Sequence, residues 1–74
     1  MGFFTAFRVK ANLNSLLKEV DEYNLESKWA EFEDYIKKAN FLNEKEKNKY
    51  LKDAKNEFER RAIELGLESF FKGD

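Results

Sequence analysis

The sequence predicts an all-α fold, an up-down-up three-helix bundle with a short apolar carboxy-terminal flap. Apolar residues recur at spacings of three and four in three successive segments, as on one face of a helix. The segments are joined by short polar connections, which make consecutive helices antiparallel. A chain of 74 residues is too short for a second independent core, so we expect a single domain over residues 1–74.

The first helix is expected at residues 3–23. Its apolar stripe consists of Ala6, Val9, Leu13, Leu16, Val20 and Tyr23. Continuing the same register would place Ser27 and Asp34 on the stripe, so the apolar pattern fails after Tyr23. The chain is therefore expected to turn near Asn24.

The second and third helices are expected at residues 25–40 and 44–65. The second carries a new stripe of Leu25, Trp29, Phe32, Ile36 and Ala39. Asn43, followed three residues later by Glu46, is typical of an N-cap with its capping-box partner. The inner face of the third helix consists of Leu51, Ala54, Phe58, Ala62 and Leu65, widened by Tyr50 and Ile63.

The third helix is expected to stop at Gly66, because glycine is the usual left-handed residue after a helix. Beyond it, Leu67, Phe70 and Phe71 are too few apolar residues for another helix. We expect them to form the flap, a turn that covers one end of the bundle. A free tail is the other possibility.

An alternative for the first segment is a strand, because apolar and polar residues also alternate there. The strand positions would be Phe3, Thr5, Phe7, Val9 and Ala11. Their partner would be the same strand of another copy, which resembles the ribbon-helix-helix family and implies a DNA-binding dimer. The helical repeat running through the strand end and the missing glycine between the helices depart from that family. So do Glu26 and Glu31, which would repel phosphate at the second helix.

The composition excludes most enzyme chemistry. Histidine and cysteine are both absent, so no serine or threonine has the usual base beside it. A metal would have carboxylate oxygens alone, and the Glu-x-x-His pattern of di-metal bundles is missing. The glycines at positions 2, 66 and 73 form neither a phosphate loop nor a dinucleotide fingerprint. We therefore expect no enzyme activity, no cofactor and no metal site.

Cysteine usage and hydropathy indicate where the protein acts. The lack of cysteine fits a reducing compartment, since disulfides are a mark of small secreted domains. No run of residues approaches the roughly 18 apolar positions that cross a membrane. We expect a soluble cytoplasmic protein with no membrane partner.

Charges form blocks of alternating sign that a net charge of −1 conceals. The net charges are +3 for residues 1–18, −6 for 19–34, +4 for 35–55 and −2 for 56–74. An antiparallel bundle would gather a basic end from Arg8, Lys10, Lys37, Lys38, Lys45, Lys47 and Lys49. An acidic end would gather Glu19, Asp21, Glu22, Glu26, Glu64 and Glu68. Such a dipole either serves solubility or orients a partner.

Phenylalanine is in surplus outside the main stripes. The surplus residues are Phe3, Phe4, Phe7, Phe41, Phe70 and Phe71. Some can cap the ends of the bundle, but large apolar side chains that remain exposed together usually mark an interaction surface. The leading hypothesis is a non-catalytic interaction or regulatory module that presents helix faces and these Phe residues to a protein partner or in a homodimer.

Nucleic-acid binding is the alternative hypothesis. Lys45, Lys49 and Lys52 share one face at the start of the third helix and form a short basic ridge that could contact phosphates. The sequence pI of about 5.5 argues against this function, because dedicated nucleic-acid domains are strongly basic.

Overall fold

A computed structural model describes residues 2–67 of the chain, with side chains from Phe4 onward. Three helices account for most of these residues: α1 is Gly2–Glu19, α2 is Leu25–Lys38 and α3 is Glu44–Glu64. The all-α prediction is confirmed. The strand alternative is wrong, because the alternating positions from Phe3 to Ala11 all lie within α1 and residues 2–67 contain no strand. Phe70 and Phe71 of the expected flap lie outside the described residues.

Contacts at both ends of the helices define the up-down-up arrangement. Near the end of α3, the Arg61 guanidinium donates a hydrogen bond to the carbonyl of Leu17 near the end of α1, at 3.2 Å. Near the start of α1, the Arg8 guanidinium lies 4.1 Å from the centre of the Phe41 ring, in the connection between α2 and α3. Each pair of helices is in contact. Helices α1 and α3 therefore run the same way, and α2 runs against both.

Helix α1 ends at Glu19, four residues before the end that its apolar stripe indicated. The carboxylate of Asp21 accepts hydrogen bonds from the backbone amides of Tyr23 and Asn24, at 2.8 and 2.9 Å. The Asn24 side chain accepts from the Asp21 amide and donates to the Glu19 carbonyl. This local network replaces helical hydrogen bonds, as Asp and Asn side chains commonly do in turns. As a result, Tyr23 is 88% exposed and does not belong to the core.

Helix α2 ends at Lys38, because Ala39 has an extended backbone with ψ of 112°. The last four carbonyls of a helix lack partners within it. One of these, the Lys37 carbonyl, accepts a hydrogen bond from the Lys47 ammonium of α3 at 2.9 Å. An ammonium at this position also interacts favourably with the negative end of the helix dipole. Lys47 therefore fastens the end of α2 to the beginning of α3.

Both predicted end signals of α3 are confirmed. The Asn43 side chain accepts from the Glu46 amide at 2.8 Å, and the Glu46 carboxylate accepts from the Asn43 amide at 3.0 Å. At the other end Gly66 has a φ of +85°. The Gly66 amide donates to Ile63 and the Leu67 amide donates to Ala62, which is the hydrogen-bond pattern of a Schellman motif.

Apart from Leu42, in the connection between α2 and α3, the buried core lies along the three predicted stripes. Its buried members are Val9, Leu13, Leu16, Leu25, Phe32, Ile36, Ala39, Leu42, Ala54, Phe58 and Ala62. Phe32 and Phe58 are fully buried, and the Trp29 ring meets the Phe58 ring edge-on with centroids 5.3 Å apart. Ile63 was expected to widen the stripe of α3 but is 61% exposed. It follows Ala62 by one residue, about 100° round the helix from the buried face.

The left-handed backbone at Gly66 gives a stability prediction. We expect Gly66→Ala to lower the free energy of unfolding by about 1 kcal/mol, because a Cβ is disfavoured at positive φ. The added methyl group meets nothing within 4 Å, so the loss reports backbone strain alone. Gly66→Asn should lose less, because Asn tolerates this conformation. Urea unfolding of the three proteins measures the difference, and equal losses for Ala and Asn would contradict the explanation.

Candidate interaction surfaces

Two phenylalanines lie on the outer side of α1. Phe4 is 79% exposed and Phe7 is 71% exposed, and they stand one turn apart on the same face. The same face continues through Ala11, Asn14 and Lys18, all of them exposed. These five positions repeat at spacings of three and four, opposite the buried stripe of α1. We call them the outer seam.

The cations of α1 have no carboxylate partners within the described part of the chain. Arg8, Lys10 and Lys18 are exposed and form no ion pair within residues 2–67. Glu19, the last residue of α1, is the first acidic residue in the sequence, so α1 supplies no carboxylate one turn away from these cations. Arg8 does contact the Phe41 ring. The three cations of α1 are therefore not neutralised by a carboxylate ion pair within residues 2–67.

The basic residues of α2 and several of those in α3 are paired. Lys37 lies 3.7 Å from Glu33, and Lys38 lies 3.3 Å from Asp34, both at the helical spacing of four residues. Arg61 lies 3.1 Å from Glu64. Such exposed pairs contribute little stability, typically below about 1 kcal/mol, but they do reduce the local field. The predicted basic and acidic ends are consequently weaker than the sequence blocks indicated.

Phe41 is placed differently from Phe4 and Phe7. It is half-buried against the core, between the Arg8 guanidinium and the Tyr35 ring, whose centroid lies 6.4 Å away. Its ring packs in the connection between α2 and α3, and its expected role in partner binding stays a prediction. The side chain of Phe3 and all of Phe70 and Phe71 lie outside the described residues.

The lysine ridge of α3 is exposed on one face, as its spacing indicated. Lys45 and Lys52 form no ion pair within residues 2–67, whereas Lys49 lies 3.5 Å from Asp53 and 5.6 Å from the centre of the Tyr50 ring. The ridge therefore offers two unpaired ammonium groups and a third that shares its charge with a carboxylate. Lys47, which the sequence placed in the same basic end, is instead committed to the Lys37 carbonyl.

Lys28 joins α1 and α2 at the opposite end of the bundle. Its ammonium lies 2.9 Å from a Glu19 oxygen and 3.5 Å from a Glu31 oxygen, and its side chain is only 19% exposed. The hydrogen bond to Glu19 is the main reason that the pKa of Lys28 is raised, and the negative charges of both carboxylates act in the same direction. Sequence spacing could not find this pair, because Glu19 and Lys28 belong to different helices.

A shallow groove runs between α1 and α3. It has a volume of about 370 Å³, and its wall is mostly polar, with Leu13 as the apolar exception. The polar residues are Lys10, Asn14, Asp53, Asn56, Glu57 and Arg60. The carboxylates in the groove already have partners, since Asp53 lies near Lys49 and Glu57 lies 4.0 Å from Arg60. Lys10 is therefore the one charged residue lining this groove that has no ion pair within residues 2–67.

Residues 2–67 contain no cluster of three or more acidic side chains that could hold a metal ion. None of the described helices is long and apolar enough to cross a membrane. Comparison of the chain with protein-family models, curated proteins and solved structures finds no significant match.

The raised pKa of Lys28 gives a pH-dependent prediction. Because folding makes Lys28 bind its proton more tightly, its stabilising contribution is complete below its unfolded pKa of about 10.5. That contribution should disappear as the pH rises through the higher folded pKa. We expect Lys28→Met to melt at a lower temperature than the parent protein at neutral pH, and the gap to shrink above pH 10.5.

Lys45→Met is the matched control for this measurement, since Lys45 has no ion pair within residues 2–67. Its melting temperature should follow that of the parent protein across the same pH range. A gap for Lys28→Met that stays constant to strongly alkaline pH would contradict the proposed role of its charge.

Proposed function

We propose that the protein is a non-catalytic interaction module that binds a protein partner through the outer face of α1. The observation that carries the proposal is the exposure of Phe4 and Phe7 one turn apart. Each phenylalanine can bury on the order of 150 Å² or more on association, and aromatic residues dominate interface energetics. The buried core residues of α1 lie on the opposite face of the helix.

The proposal predicts that partner binding depends on these two rings. Phe4→Gln combined with Phe7→Gln should abolish capture of a partner from an extract of cells that express the protein, since it removes the apolar anchors. Glutamine keeps helix propensity close to that of the original residues. The readout is the set of proteins retained by the immobilised chain, with sedimentation velocity in parallel to detect association with another copy.

Tyr23→Gln provides the matched control, because Tyr23 is an equally exposed aromatic residue outside the helices. It should retain what the parent protein retains. The same retained set for all three proteins would contradict the proposal. A parent protein that stays monomeric and retains nothing would contradict it as well.

A second candidate function is phosphate-backbone binding by the lysine ridge of α3. It is supported by the exposure of Lys45 and Lys52 on one helix face without carboxylate partners in the described residues. The ridge spans about 10 Å along the helix, so it could reach two neighbouring phosphates of one strand at most. A contact of this size would give weak binding that is strongly reduced by salt.

This candidate predicts salt-sensitive binding of generic oligonucleotides. Fluorescence anisotropy at about 50 and 200 mM salt should show an affinity that falls as salt rises, because counterions are released from the phosphates. Replacing Lys45, Lys49 and Lys52 with Glu should abolish that binding. Absence of binding at the lower salt concentration, or unchanged affinity of the triple variant, would remove the ridge as a nucleic-acid site.

A further inference from the structure

The outer seam has the spacing of a helix-packing surface. Phe4, Phe7, Ala11, Asn14 and Lys18 follow one another by three and four residues, which is the repeat that lets one helix lie along another. The seam extends about 21 Å along α1. Its apolar half is at Phe4 and Phe7, and the small side chain of Ala11 at its centre permits close approach of a second helix. The buried stripe of the same helix already packs against α2 and α3.

Basic residues border the seam on both sides. At about 100° per residue, Arg8 and Lys10 lie about 80° to either side of the seam, and Lys18 stands at its far end. None of the three has an ion pair within residues 2–67. In helix pairs, residues at these flanking positions select the partner by charge.

We propose that the outer seam of α1 binds an amphipathic helix of another protein that carries carboxylates along both edges of its apolar face. This inference rests on the proposed function and adds the chemical nature of the partner. The apolar stripe of that helix would cover Phe4 and Phe7, and its flanking Glu or Asp residues would face Arg8, Lys10 and Lys18. The carboxylates that α1 lacks would thus be supplied in trans.

The α1 helix of a second copy does not fit this surface. A parallel pairing of two α1 seams would bring Arg8, Lys10 and Lys18 of one copy toward the same cations of the other, and an antiparallel pairing would do so for Arg8 and Lys10. Like charges placed along a helix interface disfavour that pairing. The only carboxylate on α1 is Glu19, which is engaged by Lys28. The charge pattern therefore selects a different protein over a homodimer through this face.

An anionic membrane surface is also a poorer fit than a helix. A helix that lies in a membrane interface inserts a wide apolar face. The wide apolar face of α1 is buried in the bundle, and the outer seam becomes polar after Ala11, at Asn14 and Lys18. Two rings at one end of a fixed helix can touch a membrane but cannot embed the helix. A helical partner uses the full length of the seam.

The test uses the isotope-labelled full chain and two synthetic amphipathic helical peptides as probes. The peptides share one apolar stripe, and one has Glu at every flanking position whereas the other has Lys. We expect the Glu peptide to shift the amide signals of Phe4, Phe7 and Ala11 in nuclear magnetic resonance spectra. It should bind about tenfold more tightly than the Lys peptide at low salt, with the difference shrinking at about 500 mM salt.

Two double variants separate the seam from general charge attraction. Lys10→Glu with Lys18→Glu should remove or reverse the preference for the Glu peptide. Lys45→Glu with Lys52→Glu changes the net charge by the same amount on α3 and should leave the preference intact. All four lysines are exposed and lack ion pairs within residues 2–67, so neither variant removes an ion pair from the described fold. Thermal melting of both variants checks that they fold alike.

Several outcomes would overturn the inference. Equal affinity for the two peptides, equal loss in both double variants, or no binding of either peptide would each do so. Stronger Phe-dependent binding to vesicles containing phosphatidylserine than to the Glu peptide would assign the seam to a membrane surface instead. If the Phe4 and Phe7 double variant still loses its captured partner while the peptides show no charge preference, only the acidic-helix inference fails. The proposed function itself fails if capture is independent of both rings, or if the parent protein stays monomeric and captures nothing.

Discussion

The fold depends on one aromatic contact region shared by all three helices. Phe32 of α2 and Phe58 of α3 are fully buried, Trp29 packs against both rings, and the α1 stripe lies in the same cluster. A chain this short has a small core, and it has no cysteine or histidine with which to add a disulfide or a typical zinc site. Large rings supply the most buried apolar area per residue. Helices α1 and α3 must therefore turn their apolar stripes toward the aromatic residues of α2, and this requirement decides which of their faces remain exposed.

Several cations that the sequence alone would leave unpaired bind carbonyls or carboxylates near the ends of the helices. Arg61 satisfies the Leu17 carbonyl, and Lys47 satisfies the Lys37 carbonyl. Lys28 bridges Glu19 and Glu31. These contacts hold the three helices in register at both ends of the bundle. Arg61 joins α3 to α1, Lys47 joins α3 to α2, and Lys28 joins α2 to α1. Within residues 2–67, the cations with neither a carboxylate nor a carbonyl partner are Arg8, Lys10 and Lys18 of α1 and Lys45 and Lys52 of α3.

Local signals in the sequence were sufficient for much of the fold. The capping box at Asn43, the left-handed Gly66 and the buried stripes of α2 and α3 follow from spacing and residue type alone. The end of α1 did not, because apolar spacing continues to Tyr23 while Asp21 and Asn24 compete for the backbone. Contacts between different elements could not be predicted from the sequence pattern either. The burial of Phe41 depends on Tyr35 and Arg8, and the commitment of Lys47 depends on where α2 stops.

The distribution of acids along the chain explains why α1 differs from the other helices. Helices α2 and α3 place a carboxylate three or four residues from many of their cations, so their surface charges are matched within one turn. Helix α1 contains three cations before its single acid, so matching within the helix is impossible for Arg8 and Lys10. A solubilising surface does not need this asymmetry, since mixed signs serve that purpose on the other two helices. The exposed rings of Phe4 and Phe7 lie on the same helix as cations that have no ion pair within residues 2–67. This combination favours a recognition surface over a solvated one.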